Sequence, residues 1–121
     1  MTFGFSEQQR QMRTSVLGLL SRVLPPATIR KLDQAGEYPL AAHQALADAG
    51  FMGLVYPAQY GGMDGSYVDL AVLAEALGYH YGGIAQAYAI TVIGAGMHIA
   101  LNGSDAMKRE VLAKITRCMG L

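Results

Sequence analysis

The sequence predicts an all-α fold, an orthogonal bundle of five to six helices that forms one domain. The chain has 121 residues, the length of a single ordinary domain. Its apolar residues recur at helical spacing in segments that begin at capping residues and end at glycine or proline. No half of the chain is rich in strand patterns and we find no internal repeat, so the sequence excludes a sheet-based or repeat architecture.

The first helix is predicted from about Glu7 to Leu24. Ser6 and Gln9 have the spacing of a capping box, in which each side chain bonds the backbone of the other residue. The tandem prolines Pro25-Pro26 stop the helix. Between these signals the apolar residues lie on one helical face: Met12, Val16, Leu19, Leu20 and Val23.

A further helical turn or two is predicted before Gly36, and a second clear helix over Pro39 to Ala49. Proline suits the first position of a helix, and Gly50 suits its C-terminal cap. The segment from Phe51 to Pro57 is short, apolar and ended by proline, so it is predicted to be an extended connector. The glycine-rich segment from Tyr60 to Gly65 then predicts a turn.

Two more helices follow this turn. Ser66 and Asp69 form a second capping pair, which starts a helix that reaches about His80 before Gly82-Gly83 ends it. The next helix, from about Ile84 to Leu101, is apolar nearly all round and is therefore predicted to be the central helix of the domain. Its mid-helix glycines cost helix propensity but let a neighbouring group approach the backbone closely.

The last helix is predicted to begin after Gly103-Ser104, where the serine provides an N-cap. Glu110 and Lys114 have the i, i+4 spacing of a helical ion pair. Its inward face is predicted to carry Met107, Val111, Leu112 and Ile115.

Composition narrows the classes of function. Lys plus Arg and Asp plus Glu number 9 each, so the net charge is zero and nucleic acid is not an expected partner. Only 15% of residues are charged while 52% are hydrophobic, which predicts an apolar face that meets another domain or subunit. Cys118 is the only cysteine, which excludes an internal disulfide and favours a reducing, cytoplasmic location. The N-terminus has no signal-peptide pattern.

The segment from Ala76 to Ser104 has no Asp, Glu, Lys or Arg and is long enough to span a bilayer. It is interrupted by glycines and by polar residues, which suit a lipid-facing helix poorly. A buried core helix is therefore expected here rather than a membrane span.

No constellation of residues names a reaction. The three histidines fall on different predicted elements without HExxH spacing, so no metal site is expected. His43 is predicted to be solvated, and His98 to be a hydrogen-bonded core or interface residue rather than a general base. Ser66 and Ser104 are explained as helix caps, and Gly94-Ala95-Gly96 lacks the strand of a dinucleotide fingerprint. Seven tyrosines and seven methionines are compatible with a ligand cleft or with ordinary core packing.

The order of several segments resembles the N-terminal domain of acyl-CoA dehydrogenases. The most specific piece is Pro57-Ala58-Gln59-Tyr60-Gly61-Gly62, placed between an apolar connector and a capped helix. Phe5 to Gln9, Ala49 to Leu54, Leu73 to Gly78 and the helix after Gly103-Ser104 match in the same order. The resemblance covers Phe5 to Arg117.

This resemblance implies a role in a flavoprotein that oxidises the Cα–Cβ bond of an acyl-CoA thioester. In that family FAD accepts the hydride, a glutamate removes the α-proton, and an electron-transferring flavoprotein usually accepts the electrons. A β-barrel domain and a C-terminal helical bundle supply most of the FAD contacts and commonly the glutamate. We expect residues 1–121 to contain only the N-terminal-like domain, with no catalytic residue and no FAD held by this chain alone.

The resemblance also implies that the apolar helix over Tyr88 to Met97 packs beside the acyl chain. The candidate substrate-pocket residues on it are Ile90, Thr91, Gly94, Ala95 and His98.

Two functions remain open at this point. The first is a substrate-side domain of an acyl-CoA dehydrogenase; acyl-CoA oxidases share the domain, so the electron acceptor is open as well. The second is a stand-alone, non-catalytic interaction module that forms a homo-oligomer or binds a partner chain through its apolar face. The final residues, from Cys118 to Leu121, depart from the Gly-Glu pair that follows in the family, which leaves open whether the chain is a fragment or a natural truncation.

Overall fold

A computed structural model describes residues 4–118. Within these residues there are six helices and no strands, which confirms the predicted fold class. The helices are α1 (Glu7–Val23), α2 (Pro26–Ala35), α3 (Leu40–Asp48), α4 (Tyr67–His80), α5 (Gly82–Asn102) and α6 (Asp105–Thr116). Two single turns of 3-10 helix, Phe51–Gly53 and Ala58–Tyr60, connect α3 to α4.

The two predicted capping boxes are present and are joined to each other. The Gln9 side chain accepts from the Ser6 backbone N–H at 2.9 Å, and the Asp69 side chain accepts from the Ser66 N–H at the same distance. The Gln9 amide then donates to the Asp69 carboxylate at 3.0 Å. This hydrogen bond holds the N-termini of α1 and α4 side by side.

Helix α4 packs against both α1 and α5. The helix after it, predicted to be central, contacts α3, α4 and α6, but one of its sides is exposed to solvent. An apolar sequence does not distinguish a helix buried inside the domain from one whose apolar surface is left open. The buried residues of α4 are Leu70, Val72, Leu73, Ala76 and Leu77.

Two predictions need correction, one about the connector after α3 and one about the start of α5. The connector from Phe51 is not extended, because it winds into a 3-10 turn whose three residues are all buried. Gly82-Gly83 does not end α4 but begins α5, since α4 stops at His80 and extended Tyr81 separates the two helices. The His80 ring N–H donates to the Leu24 carbonyl at 2.8 Å, which ties the end of α4 to the end of α1.

The structure explains why glycine and tyrosine occupy their positions in the Pro-x-x-Tyr-Gly-Gly segment. Gly61 has φ 90°, a conformation that side chains rarely adopt. A Cβ on Gly62 would lie 2.0 Å from the Tyr56 carbonyl oxygen. Tyr60 is buried and its hydroxyl donates to Asp105 at 3.3 Å, so the turn is anchored to the start of α6.

Most of α6 agrees with the prediction. Ser104 accepts from the Met107 N–H at 3.2 Å, and Lys114 pairs with Glu110 at 3.3 Å. Leu112 and Ile115 are buried, but Met107 is exposed, so its predicted inward position was wrong.

Candidate functional site

The candidate residues all lie on α5, which changes its hydrogen-bonding pattern along its length. It is α-helical over Gly82–Tyr88, π-helical over Ala89–Met97 and α-helical again over His98–Asn102. π-Helix is rare, usually limited to a single turn, and often found at functional sites. The π-helical stretch contains four of the five predicted pocket residues, with His98 directly after it.

One side of α5 is buried against the domain. Its buried residues follow one another at intervals of four along the chain. On this side α5 contacts α3, α4 and α6, and it is hydrogen-bonded to residues 51–60, which we call the 3-10 segment. The opposite side of the helix faces solvent. The buried stripe consists of Ile84, Tyr88, Val92 and Gly96.

Two tyrosine hydroxyls tie this stripe to the 3-10 segment. Tyr56 donates to the Val92 carbonyl and Tyr88 donates to the Phe51 carbonyl, each at 2.9 Å and each buried. Burial raises the pKa of both tyrosines above the ordinary value. Both hydroxyls therefore stay protonated at neutral pH and act as donors.

The close contact between Tyr56 and α5 requires glycine at position 96. A Cβ on Gly96 would lie 1.7 Å from the Tyr56 hydroxyl oxygen, inside any permitted contact. Gly94 is different, because its nearest neighbour would be the Ala89 carbonyl at 3.6 Å, an ordinary van der Waals distance. The two mid-helix glycines thus have opposite roles: one admits a neighbour and the other leaves open space.

The opposite side of α5 carries every predicted pocket residue, and we call it the open face. It has no charged group, because α5 contains no Asp, Glu, Lys or Arg. Its polar side chains are the Thr91 hydroxyl and the His98 imidazole. The open face consists of Ile90, Thr91, Gly94, Ala95 and His98, of which Thr91 is half-buried and the others are exposed.

The structure corrects part of the expectations for two histidines. His98 is exposed, which excludes the predicted core position but not the predicted interface position, and within residues 4–118 its side chain makes no hydrogen bond. His43, predicted to be solvated, is half-buried and hydrogen-bonded through Nδ1 to the Tyr38 hydroxyl, and burial lowers its pKa. Among residues 4–118, neither histidine is hydrogen-bonded to a carboxylate or to a Ser, Thr or Cys side chain, as a general base of a nucleophile would be.

The open face is a surface and not a closed pocket in this domain. Surface cavities lie elsewhere, one of about 400 Å³ along α1 and two others of about 470 and 360 Å³. Of these two others, the larger is lined by α1, Phe51 and the segment from Met63, and the smaller by Asp48, Tyr60 and α6. A ligand on the open face would therefore need further protein to enclose it.

The polar groups inside the domain are paired with one another. Every buried side-chain nitrogen or oxygen among residues 4–118 has a hydrogen-bond partner. The same residues hold no cluster of three His, Cys, Asp or Glu side chains suited to a metal ion.

By length and composition alone α5 could cross a membrane, since an 18-residue window has a mean hydropathy of 1.5. Core helices of proteins outside membranes pass the same test, so one such helix is weak support for a span. The buried stripe and the two tyrosine hydrogen bonds attach α5 to the rest of the domain.

Comparison with known proteins gives the domain its family. The sequence-family model of the acyl-CoA dehydrogenase N-terminal domain matches residues 6–118. The chain belongs to the acyl-CoA dehydrogenase N-terminal domain family. The prediction made from the Pro-x-x-Tyr-Gly-Gly segment and its neighbours is thereby confirmed.

Individual relatives cover nearly all of this chain. It is 25% identical over 115 residues to a probable acyl-CoA dehydrogenase, YngJ, of Bacillus subtilis, covering 95% of this chain and 30% of that protein. It is 27% identical to the mitochondrial isovaleryl-CoA dehydrogenase of Pongo abelii, covering 93% and 27%. It is 29% identical to the 3-sulfinopropanoyl-CoA desulfinase of Paraburkholderia xenovorans, covering 88% and 27%. The chain thus spans less than a third of the length of these relatives.

A solved structure supports the same fold. The chain superposes with a TM-score of 0.88 and 24% identity on a protein from work on the electron transferring flavoprotein of Acidaminococcus fermentans. The match covers 97% of this chain and 30% of that one. At this identity the likeness concerns the fold.

The five candidate residues were predicted on one helix and lie on one face of it. Leu101, which is 66% exposed on the same helix, was not predicted. The hydrogen bonds by which Tyr56 and Tyr88 hold the helix from behind were not predicted either. The four-residue spacing of Ile84, Tyr88, Val92 and Gly96 was a visible signal for the buried side.

Proposed function

We propose that this domain forms one wall of the acyl pocket in an FAD-dependent acyl-CoA dehydrogenase and carries no catalytic residue itself. The observation that supports this most is the open face of α5. It carries no Asp, Glu, Lys or Arg, is held from behind by the Tyr56 and Tyr88 hydrogen bonds, and lies at the positions that the family resemblance assigns to the acyl chain. FAD and the catalytic carboxylate would be supplied by protein outside these residues, and FAD would accept the hydride there.

The open face suits a hydrocarbon chain. A pocket for an apolar ligand is lined mainly by apolar side chains with a small number of polar groups, and this face combines Ile90 and Ala95 with the polar groups of Thr91 and His98. Gly94 leaves a gap between Ile90 and His98, which lie four residues away on either side. Side-chain volume at these positions would set the length or branching of the acyl group, because a hydrophobic pocket discriminates mainly by fit.

The names of the relatives support the substrate class more strongly than the reaction. An isovaleryl-CoA dehydrogenase and a 3-sulfinopropanoyl-CoA desulfinase both act on acyl-CoA thioesters, yet they carry out different reactions. A shared N-terminal domain is therefore better suited to binding than to chemistry. We further propose a cytoplasmic enzyme whose electrons pass to an electron-transferring flavoprotein; an acyl-CoA oxidase would differ only in the acceptor.

The alternative function is a non-catalytic interaction module. The same open face would then contact a partner chain or a second copy, and no acyl group would be involved. The exposed Ile90 and Leu101 support this alternative, since exposed apolar patches commonly mark contact surfaces.

Photolabelling distinguishes the two functions. A tagged chain would be isolated from its source cells with all associated protein, and irradiated with a diazirine acyl-CoA. We expect bound flavin that is bleached by an acyl-CoA, and label on the peptide that contains Ile90 to His98. The 121-residue chain alone should give no acyl-CoA turnover with a dye acceptor. A colourless assembly with no label on this peptide would contradict the proposal and favour the interaction module.

A further inference from the structure

We propose that Tyr56 is a positioning residue that holds α5 in its π-helical register and so determines which side chains form the open face. The contacts that carry this inference are internal to the chain. Its consequence for substrate choice rests on the proposed function.

The hydrogen-bonding register of α5 matters because its buried residues and its exposed residues each recur at every fourth position. Ile84, Tyr88, Val92 and Gly96 are buried, while Ile90, Gly94 and His98 are exposed. In an α-helix four residues advance by about 400°, so a row with this spacing drifts by about 40° at each step. A π-helix bonds residue i to i+5 and turns less per residue, so the same spacing drifts in the opposite direction, and the α-helical and π-helical stretches of α5 together keep the buried row on one side.

Tyr56 acts at the point where an α-helix would need its next hydrogen bond. In α-helical register the Gly96 N–H would bond the Val92 carbonyl. Here the Tyr56 hydroxyl donates to that carbonyl at 2.9 Å and occupies the space beside Gly96 where a Cβ would lie. A side chain inserted into the backbone ladder is an established cause of such departures from α-helix.

The position of Tyr56 is itself set from outside α5. It is fully buried, its N–H donates to the Gly53 carbonyl at 3.2 Å, and its carbonyl accepts from the Asp64 N–H at 3.0 Å. Tyr56 therefore enters α5 as part of an independently ordered turn, 36 residues away in sequence from Val92.

Loss of the hydroxyl would let α5 return toward α-helical bonding. Each residue of register corresponds to about 100° of rotation around the helix axis. His98 and the residues after it would then turn away from the line of Ile90 and Gly94, and the surface offered to an acyl chain would change in shape without a change in composition.

Tyr88→Phe is a matched control for Tyr56→Phe. Both tyrosines are buried, and each donates one hydrogen bond of 2.9 Å to a backbone carbonyl between α5 and the 3-10 segment. Only the Tyr56 bond ends on a carbonyl inside the π-helical stretch. Each variant loses one tyrosine hydroxyl and its hydrogen bond. Only in Tyr56→Phe is the lost hydrogen bond one to the π-helical stretch.

Scalar couplings across hydrogen bonds, measured by NMR on the 121-residue chain, identify each donor and acceptor directly. We expect wild type and Tyr88→Phe to pair the Met97 N–H with the Val92 carbonyl, and Tyr56→Phe to pair the Gly96 N–H with it. Gly96→Ala, which displaces the hydroxyl from the helix side, serves as the second variant. An α-helical pairing in wild type would overturn the inference. So would a π-helical pairing that is retained in Tyr56→Phe or, if that variant does not fold, in Gly96→Ala.

The flavin-containing enzyme provides the second measurement. We expect Tyr56→Phe to change the ratio of kcat/KM between a long and a short acyl-CoA by about tenfold, the scale of discrimination in a hydrophobic pocket, while Tyr88→Phe leaves the ratio unchanged. A changed register with an unchanged ratio would confirm the positioning role of Tyr56 and contradict the acyl-pocket function. An unchanged register with a changed ratio would contradict the positioning role of Tyr56 and support the acyl-pocket function.

Discussion

At the scale of single residues, the two mid-helix glycines of α5 have different reasons to be there. The sequence showed that both cost helix propensity, but it could not show that Tyr56, which is 40 residues before Gly96, fills the space beside only one of them. Contacts between residues far apart in sequence are decided by tertiary packing, and no local pattern encodes them.

Substitution of these glycines should therefore have opposite effects on stability. Gly94→Ala should raise the free energy of unfolding of the 121-residue chain by about 1 kcal/mol, because its Cβ meets only the Ala89 carbonyl at an ordinary van der Waals distance and alanine favours helix. Gly96→Ala should lower it by about 1–3 kcal/mol, because the methyl group collides with Tyr56. Urea denaturation followed by circular dichroism measures both, and equal effects at the two sites would contradict the packing described here.

Asp69 should make stability depend on pH. Its hydrogen bonds from the Gln9 amide and then from the Ser66 N–H hold the pKa of the carboxyl group below the ordinary value. A lowered folded-state pKa stabilises the fold above the unfolded pKa of about 3.9, and this contribution is lost as the pH falls through the folded-state pKa.

The measurement compares wild type with Asp69→Asn by urea denaturation at several pH values. The stability difference should be largest at pH 5 to 7 and should shrink below about pH 4. Glu75→Gln is the control, because Glu75 lies on the same helix outside the capping box. A difference that stays constant down to pH 2 would show that the carboxylate does not contribute through its charge.

At the scale of elements, the helix starts were predicted better than the role of each helix. Ser6, Ser66 and Ser104 cap the helices that they were expected to cap, since capping depends on neighbours within three residues. The 3-10 turn after α3 and the π-helical stretch of α5 were missed. Both depend on buried contacts between Phe51 or Tyr56 and α5, which lie outside the reach of local patterns.

The open face of α5 should promote association when nothing covers it. Ile90→Gln should reduce both self-association, seen by light scattering, and binding of a hydrophobic dye, since it removes a 63% exposed side chain from the face. Leu40→Gln is the matched control, because Leu40 is equally exposed but lies on α3. A wild-type chain that remains monomeric at high concentration and binds no dye would contradict a contact role for this face.

At the scale of the whole molecule, the domain combines a well-packed interior with one apolar helix that it only half covers. The core draws on α1, α3, α4, α5, α6 and the segment 51–60, and the surplus of hydrophobic over charged residues leaves exposed apolar side chains on several elements, of which Ile90 and Leu101 lie on α5. That surplus predicted an apolar face. The composition could not show which helix carries the face, because helix phase and tertiary contacts determine it.

The central claim is that the open face of α5 borders an acyl group, and substitution of Gly94 tests it most directly. The measurement is kcat/KM over a series of acyl-CoA chain lengths in the flavin-containing enzyme, with Gly18→Ala on α1 as the control for a gain in helix propensity alone. Gly94→Ala should shift the preference toward shorter acyl groups, and Gly94→Leu should shift it further, because each fills more of the pocket. A uniform loss at every chain length, or no change in either variant, would contradict the claim.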